Sequence, residues 1–157
     1  MFSTYLRGWD YKGEHYLLGM PGVICRARDP DGDFKPRDRL LFDPSMRHAG
    51  VWLDGNILHV LWSRVGDAPE RLLYSRVDLS DPDWNNWRAT QGAELLRPEL
   101  DWEGSALPVM SSLRGELELP GHELRDPYIL RDLDGRLYLY YVGAGEQAMG
   151  VALLHTQ

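Results

Sequence analysis

Several absences narrow what this chain of 157 residues can be. A single cysteine, Cys25, excludes an internal disulfide and any multi-cysteine zinc site, and nothing around it matches a catalytic-thiol signature, so it reads as a small core residue. No apolar run is long enough to span a membrane, and Met1 to Arg7 shows neither the basic start nor the apolar stretch of a signal peptide. The expectation is a cytoplasmic protein that does not act at a membrane. Basic residues are outnumbered by acids, 17 to 24, for a net charge of -7 that would repel a phosphate backbone, so nucleic acid is not an expected partner. Lysine is nearly absent: Lys12 and Lys35 are the only two, and the other 15 basic residues are arginines, whose planar fork suits carboxylates and hydroxyls. No Gly-x-Ser-x-Gly elbow marks a serine hydrolase, and His15, His59 and His122 do not have metal-ligand spacing. No cofactor and no metal is expected.

What is present is a repeat. Apolar residues make up 43% of the chain, enough for a core, and its length fits one domain. Three stretches share one pattern, a short apolar strand, a Gly-containing turn and an aromatic-rich alternating strand: 5–19, 50–62 and 127–141. The turn glycines Gly13, Gly55 and Gly135 are separated by one and then two periods of about 40 residues, the length expected of a four-stranded propeller blade. A third strand follows each hairpin, at 23–28, 72–77 and 149–154, and after the first two an Asp and then Phe34, or Trp84 and Trp87, lead toward an outer strand. The expected fold is therefore all-β, about three blades of four-stranded antiparallel sheet in one incomplete propeller domain, with units near 1–44, 45–96 and 120–157. Residues 97–119 break the ruler and read as a long loop or degenerate blade. A closed ring generally needs at least four blades, so either further blades precede this chain or a second copy completes it.

In a propeller the innermost strands begin at the central channel. That rule collects Tyr5, Arg7 and Trp9 from the first unit, Arg47 and His48 from the second, and Arg125 and Asp126 from the third, to which the irregular loop adds Trp102 and Glu103. Aromatic faces can stack on a sugar ring while arginine and histidine bond its hydroxyls. A carbohydrate partner is expected.

Two of these motifs resemble a known group. Glu123-Leu124-Arg125-Asp126-Pro127-Tyr128-Ile129-Leu130, with its Asp-Gly hairpin and Tyr138-Leu139-Tyr140-Tyr141, resembles the Arg-Asp-Pro blade start of five-bladed propeller glycoside hydrolases of families 43 and 32. Trp102-Glu103-Gly104 is similar to the Glu-Gly element around the general acid of family 43. The resemblance implies a five-bladed propeller and hydrolysis of a glycosidic bond by paired carboxylates in the central pocket, with Glu103 as acid, Asp126 as its partner carboxylate, and Arg7, Trp9, Arg47, His48, Trp102 and Arg125 as substrate contacts. In that group the Asp motif precedes the acid, whereas here Glu103 comes first, and the early Asp of the first blade has no counterpart. Two other readings stand beside it: a propeller that binds carbohydrate without catalysis, and an interaction module that dimerises through its open edges.

Overall fold

The computed structural model describes residues 4–155 and is built from strands, with two single turns of 3-10 helix as its only helical segments among them. Eleven strands form three antiparallel sheets, each meandering outward in chain order. The first contains β1 (Thr4–Tyr11), β2 (Glu14–Met20), β3 (Val23–Ala27) and the two-residue β4 (Lys35–Pro36). The second contains β5 (Met46–Asp54), β6 (Ile57–Arg64), β7 (Leu72–Asp78) and β8 (Ala93–Leu96). The third has three strands and, as the last unit of the sequence reading, no outer strand: β9 (Leu124–Arg131), β10 (Leu137–Gly143) and β11 (Ala148–Leu154).

Turn chemistry fixes the first two hairpins. Lys12 and Gly13 both take positive φ, as a two-residue turn matched to the twist of its strands requires. In the second, Gly55 supplies the positive φ at the first turn position, between the paired Asp54 and Ile57. The third hairpin uses a longer loop closed by the Asp132 and Gly135 amides, with Gly135 at φ 84°.

The sheets stack face to face, with the second in the middle. Its β6 is buried on both sides: Leu58, Val60 and Trp62 face the first sheet, and Leu61 faces the third. Such a strand reads as an almost continuous apolar run. Between the first two sheets Trp9, Tyr11, Tyr16, Leu18 and Ile24 meet Val77, Leu79 and Trp87. Trp9 stacks on Tyr16, their centroids 5.4 Å apart, and is 8% exposed, so the residue expected to contact substrate belongs to the core. Arg37 ties the same pair of sheets together, donating to the Trp84 and Trp87 carbonyls at 2.9 and 3.3 Å. Between the second and third sheets the core is Leu61, Leu72, Leu124, Ile129, Leu137, Leu139 and Tyr141. Fully burying each such aliphatic or aromatic side chain contributes about 1.5–3 kcal/mol.

The innermost strands β1, β5 and β9 lie side by side. Gly50 permits this closeness, because a Cβ there would stand 3.0 Å from the Pro127 carbonyl oxygen. Each strand has a break in pairing register near its start, between Thr4 and Arg7, between Met46 and Ala49, and opposite the Tyr140/Val142 step of β10. Tyr5, His48 and Asp126 fall in these breaks.

Candidate functional site

An extra residue in one strand of a pair bends it and re-aims a side chain. Here three such irregularities occur at equivalent places, and their side chains converge. Tyr5 and Asp126 take left-handed φ values of 55° and 49°, unusual for residues with a side chain. The Tyr5 ring lies 4.5 Å from the His48 ring. His48 Nδ1 is 2.8 Å from Asp126 Oδ1, with the imidazole side chain 2% exposed and the carboxylate side chain 28% exposed. The Nδ1–Oδ1 approach is close but not aligned as a hydrogen bond, and among the described residues neither ring nitrogen has a hydrogen-bond partner. His48 therefore presents buried, unspent polar atoms beside the more accessible Asp126.

Tyr5 and His48 line a cleft of about 580 Å³ together with Arg47, Arg114, Glu116 and Glu146, and Asp126 stands beside it through its approach to His48. Beneath it lies a buried charge network. Arg125, fully buried, has Nε 3.5 Å from Glu70 Oε2, contacts Glu123, and donates from Nη1 to Glu146 Oε1 at 2.9 Å. Burial opposes its charge, but Glu70, Glu123 and Glu146 outweigh that and hold its pKa above the ordinary arginine value. Arg47 donates to Glu70 at 3.2 Å and to the Leu113 and Gly115 carbonyls at 3.0 and 3.2 Å, and Arg125 also reaches the Gly115 carbonyl. Burial pushes the Glu70 carboxyl above the usual carboxylate range, against the pull of Ser63, Arg47 and Arg125. Both arginines thus hold the irregular segment that carries Arg114 and Glu116 to the rim.

Arg7 follows the first irregularity. Its guanidinium lies 5.8 Å from the Tyr128 ring centroid, bridging β1 and β9. Trp102 and Glu103 sit elsewhere. They occupy a 3-10 turn, Asp101–Glu103, that packs over the end of β10. Gly143 and Gly150 make room for it, since Cβ atoms there would stand 3.3 and 2.4 Å from the Trp102 ring. Glu103 is 2% exposed. Its Oε2 accepts from the Glu99 and Leu100 amides at 2.8 and 2.9 Å, and its Oε1 from the Tyr141 hydroxyl at 2.7 Å. The bond to Leu100 is the returning half of a capping box, a glutamate reaching back to the amide that precedes its own turn. Gly104 closes the turn at φ 83°. Both oxygens of Glu103, the acid expected from the resemblance, are thus committed to a loop and to Tyr141, while Arg47 and His48 line the cleft, Arg125 lies beneath it and Asp126 stands beside His48. Burial, then the bond and the charge of Glu103, push the Tyr141 phenol well above its ordinary value.

Glu70, Glu123 and Glu146 complete the network but were not singled out from the sequence. Glu146 carries a weak signal, because it ends the turn Gly143-Ala144-Gly145-Glu146, whose last three residues all take positive φ. Among the described residues no group of three or more His, Cys, Asp or Glu side chains is placed to hold a metal ion.

No protein-family profile matches the chain. It is 34% identical over 167 aligned positions to the uncharacterized protein R118 of Acanthamoeba polyphaga mimivirus, an alignment covering 97% of this chain and 46% of that one. Among solved structures it is similar to the alpha-L-arabinanase of Cellvibrio cellulosa, with a TM-score of 0.64 at 13% identity over 99% of this chain and 49% of the arabinanase. The fold is that of a β-propeller in part. The chain spans about half the length of both proteins, and the likeness to the arabinanase is one of fold. In that frame β1, β5 and β9 are the innermost strands, and the three register breaks lie near their starts.

Proposed function

We propose that the cleft binds a sugar unit of a neutral glycan and that this propeller takes part in hydrolysis of a glycosidic bond, with Asp126 as the carboxylate directed at the scissile bond. The convergence of Tyr5, His48 and Asp126 from three equivalent strand irregularities carries the reading, since register breaks in three sheets, two of them with a left-handed residue, are spent on one opening. Glycoside hydrolysis needs two carboxyl groups flanking the bond, one giving a proton to the leaving oxygen and one attacking or activating water. Glu146, bordering the same cleft and paired with Arg125, is the second carboxylate in this reading. Glu103 acts as a positioning residue that fixes the loop and Tyr141. Tyr5 offers a ring face and a hydroxyl to the sugar, and Arg114 and Glu116 at the rim offer hydrogen bonds to its hydroxyl groups. The choice of a neutral sugar follows from charge: Glu116 and Glu146 border the opening with Asp126 beside it, while Arg47 is taken by Glu70 and two carbonyls and Arg114 donates to the Pro44 carbonyl, so a phosphate or uronate gains no free cation there.

The fold likeness to an arabinanase makes arabino-oligosaccharides and 4-nitrophenyl arabinofuranoside the first substrates to try. Nitrophenolate release that disappears in Asp126→Asn, with calorimetric binding of the oligosaccharide retained, supports the reading. Turnover unchanged in Asp126→Asn overturns it. A second reading, recognition without hydrolysis, is favoured by the burial of Glu103, and binding of arabino-oligosaccharide without turnover by the unmodified chain would select it.

A further inference from the structure

A strand that pairs regularly sends successive side chains to opposite faces. Arg47 and His48 depart from that rule, since both border the cleft and both are buried. The register of β5 explains it. Between the pairs Met46–Arg64 and Ala49–Trp62, Arg47 and His48 together stand opposite the single residue Ser63, so the strand bulges and re-aims both side chains. β9 does the same one sheet farther on, where Asp126 and Pro127 stand opposite Tyr141. The two bulges bring His48 and Asp126 together.

The neighbours Arg47 and His48 are used differently. Arg47 spends its guanidinium on Glu70 and on the Leu113 and Gly115 carbonyls. His48 spends neither ring nitrogen on a hydrogen bond among the described residues, although its side chain is enclosed and the Tyr5 ring lies against it. Burying a polar ring in this way is unfavourable, and a phenylalanine would fill the same space without that cost. The Asp126 carboxylate has Oδ1 2.8 Å from His48 Nδ1 and makes no other ion pair or hydrogen bond among the described residues. Arg125, the preceding residue, does not serve it, because its guanidinium is occupied by Glu70, Glu123 and Glu146.

We infer that His48 is a positioning residue for Asp126, its Nδ1–H holding the carboxylate in the orientation that faces the scissile bond. The inference rests on the glycosidase reading of the cleft and deepens it. A neutral imidazole carries one proton, and a carboxylate oxygen beside Nδ1 draws it there, because a lone pair on Nδ1 would face the lone pairs of Oδ1. Nε2 is then left as an acceptor. The contact is not aligned as a hydrogen bond, which is ordinary for groups that tighten only around substrate. Burial decides which partner sets the other. The imidazole is enclosed and the carboxylate partly accessible, so the ring is the fixed support and the carboxylate is the group that turns on it. Such support acts on rate more than on affinity, since a reacting group misplaced by about 1 Å can cost about a hundredfold.

Nitrogen NMR on the full chain tests the pairing without reference to turnover. Long-range proton–nitrogen spectra of histidine-labelled protein, with His48 assigned by the signals lost in His48→Phe, should show a proton on Nδ1. Asp126→Gly, which suits the left-handed φ and removes the carboxylate, should release that preference. An Nδ1 without a proton in the unmodified chain, or a pattern unmoved by Asp126→Gly, would overturn the inference. Kinetics with 4-nitrophenyl arabinofuranoside tests the role. His48→Phe keeps an aromatic ring against Tyr5 and should lower kcat by about tenfold to a hundredfold at nearly unchanged KM. His48→Asn, whose amide nitrogen stands close to the place of Nδ1, should recover most of that loss. Equal loss in both variants, or none in His48→Phe, would overturn the positioning role. No turnover by the unmodified chain would strike the proposed activity instead, and the protonation of Nδ1 would still decide the pairing.

Discussion

The role of Glu103 is decided by its replacement with glutamine. A residue that donates a proton to a leaving group can lose its charge with little effect on folding. A carboxylate whose acceptor capacity organises a loop cannot. Glu103 accepts from two backbone amides at 2.8 and 2.9 Å and from the Tyr141 hydroxyl at 2.7 Å, in a site closed to water. Hydrogen bonds to a charged group contribute about 1.5–3 kcal/mol net, against about 0.5–1.5 for neutral pairs, so neutralising the acceptor weakens each of the three by roughly 1 kcal/mol. The glutamine amide oxygen can still receive the two backbone donors, but its NH2 then faces the Tyr141 hydroxyl, which must turn and accept. Part of the loss is offset because a neutral side chain is less costly to bury. The expected net destabilisation of Glu103→Gln is about 2 kcal/mol, and that of Glu103→Ala about 3–5 kcal/mol, because the alanine leaves three buried donors without an acceptor. Urea unfolding followed by tryptophan fluorescence measures both. Because Trp102 rides on the same turn, amide exchange of residues 99–104 should accelerate in parallel. Glu103→Gln with wild-type stability and wild-type loop protection would refute the positioning role and return Glu103 to the expected place of the acid.

Two further outcomes follow from the buried groups. Because burial and Glu103 raise the Tyr141 phenol, the folded state keeps a proton that the unfolded chain releases near pH 10. The stability tied to that proton is full below the unfolded value and is lost as pH climbs past it, so the unfolding free energy should fall above about pH 10. Tyr141→Phe should flatten that decline while lowering stability near neutrality by about 1–2 kcal/mol, and an unaltered alkaline profile would count against the assignment. Glu70→Gln removes the carboxylate that Arg47 and Arg125 share. Breaking a buried ionic contact from one side costs about 3–5 kcal/mol, and the lower end is expected here because Arg125 retains Glu123 and Glu146. A change in thermal unfolding that corresponds to less than about 1 kcal/mol would show the network to be dispensable.

The residues that made the fold legible are those whose backbone chemistry is local. Lys12-Gly13 and Gly55 specify their turns by positive φ, and the alternating strands beside them need only a covered face to settle into sheets. The outer strands were harder to read. Lys35–Pro36 is too short to show a period, and Ala93–Leu96 lies well beyond the Trp84 and Trp87 that point toward it. At the site, His48, Arg47, Arg125 and Asp126 could be picked out because strand starts in a propeller share an axis. Trp9 was placed with them by counting residues along β1, but the register break between Thr4 and Arg7 intervenes, and Trp9 lies in the core against Tyr16. The enclosure of Glu70 and Glu103 was unreadable for a different reason. A lone acid in a sequence looks solvated, and only packing over glycines 143 and 150, or between two arginines, reveals which acids are enclosed.

Tyr5 and Asp126 link fold and site through a shared cost. A left-handed φ in a residue with a Cβ costs about 1 kcal/mol or more, and a strand that breaks register gives up ladder hydrogen bonds as well. Neither is needed to stack the sheets, since the buried faces of β1, β5 and β9 are already set by Tyr11, Val51 and Ile129 farther along each strand. The three register breaks all fall near the starts of the innermost strands, and the two left-handed residues of those strands sit in them. Met46 and Leu124 are fully buried just before two of the irregular positions, and Arg125 is clamped by three glutamates beside Asp126. A rigid base that forces its strand ends into costly conformations around a shared opening is what preorganised recognition requires, because the orientation of the polar groups is settled during folding rather than at the moment of binding.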